Sequence, residues 1–175
     1  MRALVWIVED TWEATVAEAA AFLPADAEVT LLHVAPGDVE MLAEGSRRAL
    51  LGRRVPPPPH GAPAPLRTIS DDAAEALLAE ARERIGRDAD VQQRRGRVER
   101  EVVAAADGMD VLVLARDGDH SRLGPHSLGP AARFVVDHAP CRVLLVWADT
   151  PPQVDSIPPP PTEHPRPKKH GPKHH

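Results

Sequence analysis

At 175 residues with a formal net charge of −5, the chain is long enough for one domain with a real core and too short for two ordinary ones. Residues 151–175 set Asp155 and Glu163 against Arg166, Lys168, Lys169 and Lys173, so this end is +2 and residues 1–150 are −7; an acidic body lacks the basic face of a nucleic-acid binder. Cys141 is the single cysteine, which excludes an internal disulfide framework and points to a reducing compartment, and no run approaches the ~20 apolar residues a membrane helix needs. The start "MRALVWIVED" meets acidic residues too early for a secretory signal, so the expected setting is the cytoplasm.

The first apolar run, "ALVWIV" (3–8), predicts a strand. Asp10, with Glu13 three residues on, then predicts a capped helix whose Trp12, Val16, Ala19, Ala20 and Leu23 share one face until Pro24 stops it. A second strand follows at "VTLLHV" (29–34). The insertion "RRVPPPPHGAPAPL" (53–66) holds six prolines in fourteen residues and should form neither helix nor strand. From Ser70 a helix turns Ala74, Leu77, Leu78, Ala81 and Ile85 inward and closes at Gly86. "DVQQRR" (90–95) is a strand polar enough for a sheet edge, and Val98, Val102 and Val103 mark a helix closed by Gly108. "DVLVLA" (110–115) and "RVLLVW" (142–147) flank a glycine-containing loop and a helix opened by Pro130, with Phe134, Val135 and His138 along one side. Residues 149–175 add nine prolines and are expected to form a disordered tail after a domain spanning 1–148.

Continuous apolar strands alternating with helices predict an α/β domain, a doubly wound five-stranded parallel sheet. Ligands of such sheets bind beyond the carboxyl ends of the strands, here after Val8, Val34 and Ala115. The stretches "LLHV", "GRVEREVVAAADGMDVLVLA" and "LGPAARFVVDHAPCRVLLV" together resemble the universal stress protein family over residues 2–148. The resemblance implies a Rossmann-like fold with strand order 3-2-1-4-5 and a stress-response role. Its ATP-binding members carry glycine, two residues, glycine, nine residues, glycine, then serine or threonine. Placed on this sequence, that pattern falls on Arg116, Asp119, Gly129 and Pro130, so two glycines and the hydroxyl are replaced. The aspartate that ends the family's first strand falls on Val8, with Glu9 next along, and Val34 matches the apolar contact to adenine. The resemblance also implies a homodimer in which the last strand pairs antiparallel with its copy through Val143, Leu145 and Trp147.

These departures have physical consequences. A side chain at Arg116 blocks the close backbone approach that glycine allows, and Pro130 offers neither a hydroxyl nor an N–H. The carboxylate of Asp119 would repel a phosphate by ~1 kcal/mol even in water, and one lost charged hydrogen bond costs ~1.5–3 kcal/mol more. ATP is therefore expected at low affinity if at all, and Gly118 and Gly124 serve turns. Arg116, His120 and Arg122 are the groups that could hold another small anion instead. A nucleophile or base would have to come from His120, His126, Asp117 or Asp119, loop side chains whose ordinary role is solvation, so none is assigned as catalytic. Cys141 opens an apolar strand and reads as a small hydrophobe. His138 suits the last turn of a helix, and His33 suits a hydrogen bond within the sheet. Arg94, Arg95, Arg97 and Arg100 interleave with Glu99 and Glu101 as a solvated edge, with no aromatic ring to stack a base. His164, His170, His174 and His175 lack ordered metal-ligand spacing, so no metal is assigned. The expectation is a non-catalytic stress-response or regulatory module; the alternatives are a nucleotide-binding sensor of the same fold and a phosphate-transferring or hydrolysing enzyme.

Overall fold

A computed structural model describes residues 1–37, 64–157 and 159. Strands β1 (Arg2–Trp6), β2 (Glu28–Pro36), β3 (Ala89–Gly96), β4 (Val111–Ala115) and β5 (Arg142–Val146) form one parallel sheet in the order β3-β2-β1-β4-β5. Both the five strands and their order are those expected. β1 and β4 lie between other strands and beneath helices on both faces, which is why Ala3–Ile7 and Val111–Ala115 are buried without interruption. Polar β3 lies at one edge and β5 at the other.

Alternation along the strands feeds two cores. Ala3, Val5 and Ile7 pack with Val16, Leu31 and Leu78 on the side of helices α1 (Trp12–Phe22) and α2 (Ala64–Arg84). Leu4 and Trp6 pack with Val102, Leu112 and Val135 on the side of α3 (Val98–Ala105) and α4 (Pro130–His138). Because the strands are parallel, the carboxyl ends of β1, β2 and β4 lie together at one end of the sheet.

Four local expectations need correction. Thr11, not Asp10, stands at the N-cap of α1, and no side chain caps it; the turn is closed instead by the Thr11 and Trp12 N–H groups donating to the Val8 carbonyl at 3.0 and 2.9 Å. α2 begins at Ala64, six residues before Ser70, and takes in Pro65 at a first turn where a missing N–H costs nothing. α4 turns Ala132 and Val135 inward, whereas Phe134 is only half-buried and His138 is exposed on another side. Residues 149–157, expected in the disordered tail, include a 3-10 turn at Val154–Ser156, where Ser156 Oγ accepts the Leu123 N–H at 3.0 Å. The rest of the proline-rich insertion, and residues 158 and 160–175, lie outside the described residues.

Candidate functional site

After β1 the chain turns sharply into α1 and leaves Glu9 and Asp10 exposed beyond the sheet. Two clefts meet at this turn. One, of about 430 Å³, lies between the start of α1 and the loop after β4, and the other, of about 540 Å³, lies over the ends of β1 and β2. Val8, Glu9, Asp10 and Asp117 border both. Glu13, His120 and Asp149 add to the smaller, and Val34, Pro36 and Val98 give the larger an apolar wall. His33 also lines the larger one and ties β2 to β1 through its Nδ1–H, which donates to the Ile7 carbonyl at 3.1 Å. The opening is therefore rich in carboxylates, the wrong sign for a phosphate chain.

The loop between β4 and α4 folds back on itself. Gly118 N–H donates to the Ser127 carbonyl at 3.1 Å and Asp119 N–H to the His126 carbonyl at 2.8 Å. A Cβ on Gly118 would stand 2.3 Å from the His126 carbonyl oxygen, so glycine is required there by the return arm of the loop. Gly124 turns that arm at φ +138°.

Each basic side chain proposed for an anion is engaged with the chain's own groups. The Arg116 guanidinium donates to the buried hydroxyl of Ser127 and lies 4.6 Å over the Trp147 ring; burial pulls it below its ordinary pKa. His120 donates from Nε2 to the Arg116 carbonyl at 2.9 Å, keeps Nδ1 3.4 Å from Asp149 Oδ2, and sets its ring edge to face against Trp147. Arg122 stands 4.0 Å from the Asp119 carboxylate. Hydrogen bonds from the Ser121 hydroxyl and backbone N–H hold that carboxylate below its usual range.

The start of α4 carries the decisive contact. Asp117 Oδ1 accepts the Gly129 N–H at 2.7 Å, and a Cβ on Gly129 would lie 2.9 Å from Asp117 Oδ2. A side chain at 129 would press on the Asp117 carboxylate and push it aside. Pro130 follows at the first helical position. A helix N-terminus favours negative charge, and here the chain supplies that charge itself.

No family model and no curated protein matches the chain, whereas solved structures do. A universal stress protein in complex with cAMP superposes with a TM-score of 0.58 at 16% identity, covering 85% of this chain and 98% of that one. UspA from Lactobacillus plantarum gives 0.53 at 20% identity, covering 83% and 97%. The chain has the universal stress protein fold. A universal stress protein family member from Arabidopsis thaliana with AMP bound gives 0.53 at 14% identity, covering 90% and 95%.

On this universal stress protein fold the residues singled out from sequence divide into two sets. Val8, Glu9, Val34, Gly118 and His120 reach the clefts, and Asp117 joins them. Arg116, Asp119, Arg122, Gly129 and Pro130 belong to the loop and helix start but line neither cleft. The loop does not fit a triphosphate, because Asp117 holds the Gly129 N–H and Arg116 is committed to Ser127 and Trp147. Val143 and Leu145 are half-buried against the second core, and Trp147 lies beneath Arg116 and beside His120. Sequence reasoning missed Ser127 and Asp149; a buried serine and an acid after the last strand carry no local signal of their loop partners. Cys141 is a free, half-buried thiol whose pKa burial raises. Among the described residues no cluster of three His, Cys, Asp or Glu side chains is arranged to hold a metal, and no helix is long and apolar enough to cross a membrane.

Proposed function

We propose that this protein is a non-catalytic stress-response or regulatory module whose phosphate loop is closed by its own side chains, with ATP bound weakly or not at all. The observation that carries this is the Asp117 carboxylate on the Gly129 N–H at the start of α4. A triphosphate would have to displace that carboxylate, approach Asp119, and do without a donor at Pro130. Repulsion of ~1 kcal/mol and a lost charged hydrogen bond of ~1.5–3 kcal/mol limit the dissociation constant to no tighter than ~100 μM, about −5.5 kcal/mol. The setting we propose is the cytoplasm, and the assembly a homodimer formed along β5.

A second reading, a nucleotide-binding sensor, is favoured by the AMP and cAMP in two of the similar structures. In that reading a nucleoside would use the larger cleft, with its base against Val34. Thermal shift with 1 mM ligand separates the two. A constant of 100 μM or weaker gives at most ~1.4 kcal/mol of stabilisation, and 1 μM gives ~4 kcal/mol. Only the smaller shift is expected for ATP, AMP and cAMP; the larger one with any of them would establish the sensor.

A further inference from the structure

His120 joins two segments of the chain through groups that only accept hydrogen bonds. Its Nε2 stands 2.9 Å from the Arg116 carbonyl, where the loop leaves β4, and its Nδ1 stands 3.4 Å from Asp149 Oδ2, on the segment after β5. A carbonyl and an ionised carboxylate have no proton to give. A neutral imidazole carries one N–H, so it serves one of these acceptors and turns a lone pair to the other, whereas the imidazolium serves both. The shorter contact, to the Arg116 carbonyl, is the one a neutral ring keeps. Asp149 is then the partner gained or lost with the proton.

The charges around the ring are mixed. Glu9, Asp10 and Glu13 from the turn after β1 and the start of α1, Asp117 from the loop, and Asp149 line the smaller cleft together with His120, and all of them favour a charged ring. Arg116 opposes it, with its guanidinium over the same Trp147 ring that His120 meets edge to face. Asp119 and Arg122 stand 4.0 Å apart and offset each other, and His126, the loop's other imidazole, lies toward Asp119. The His120 side chain is 21% exposed and that of Asp149 78%, so their contact has the modest strength of a solvent-screened ion pair. Its position gives it leverage: Asp149 and Ala148 form one wall of the smaller cleft, and seven residues on, Ser156 Oγ makes a second tie to the same loop at the Leu123 N–H.

We propose that His120 is a proton-operated latch, which as an imidazolium holds the segment after β5 against the loop after β4, closing that side of the smaller cleft, and as a neutral ring releases it. The tie is complete below the range in which imidazoles titrate and is lost as pH rises through it. The proposal is independent of whether the phosphate loop binds ATP. The Leu123 N–H reports on it, because its bond to Ser156 joins the same two segments. Hydrogen exchange of the full chain, followed by NMR at about pH 5.5 and about pH 8 and expressed as protection factors so that the intrinsic pH dependence cancels, should show Leu123 about two- to fivefold better protected at the lower pH, the range of an exposed ion pair. Asp149→Asn and His120→Gln should each abolish the difference, and His126→Gln should leave it intact. Equal protection at the two pH values, or a difference that survives in either of the first two variants, would overturn the proposal. A difference lost in His126→Gln alone would overturn it in favour of the other imidazole.

Discussion

At the scale of single residues, the loop after β4 is governed by Asp117. Its carboxylate accepts the N–H of Gly129, the residue that precedes α4, and supplies the negative charge that a helix N-terminus favours. Asp117→Ala should therefore cost about 0.5–2 kcal/mol in denaturant unfolding, as for the loss of other helix-capping carboxylates; a variant as stable as the wild type would show that the contact contributes nothing. The replacement of two glycines and a hydroxyl by Arg116, Asp119 and Pro130 was legible from spacing alone. The Asp117–Gly129 contact was not, because it spans twelve residues and exists only after the loop has doubled back. The same holds for Arg116, which looked available for an anion until Ser127 and Trp147 were placed around it.

At the scale of elements, the doubled-back loop depends on Gly118. With the His126 carbonyl 2.3 Å from any Cβ there, Gly118→Ala should destabilise the fold by about 1–3 kcal/mol, the usual cost of forcing atoms into a packed site. An unchanged unfolding midpoint would mean that the arms of the loop separate freely. The strands were legible because central parallel strands are buried on both faces and so read as continuous apolar runs. Element starts were harder. Ala64 carries no capping signal and precedes a proline, and at α1 the Val8 carbonyl closes the turn that Asp10 was expected to cap. On α4, Phe134, Val135 and His138 were expected along one side, yet Ala132 and Val135 face the second core while the Phe134 ring stacks on His138.

At the scale of the whole molecule, β5 pairs with β4 on one side and forms the outer strand of the sheet. An apolar edge is an aggregation hazard that pairing across a two-fold axis removes, so light scattering behind a sizing column should give twice the chain mass at tens of micromolar protein, and a monomeric mass would refute the dimer. Leu145 is a poor position at which to probe that seam, because it packs against the second core and its loss would unsettle the fold as well. The body is acidic, the clefts are bordered by Glu9, Asp10, Asp117 and Asp149, and the loop's basic groups are turned to the chain's own atoms. Charge and geometry therefore oppose a triphosphate together. Calorimetric titration of the wild-type protein with magnesium ATP measures that opposition directly: a dissociation constant of ~100 μM or weaker, or no detectable heat, is predicted, and a low-micromolar constant would contradict it.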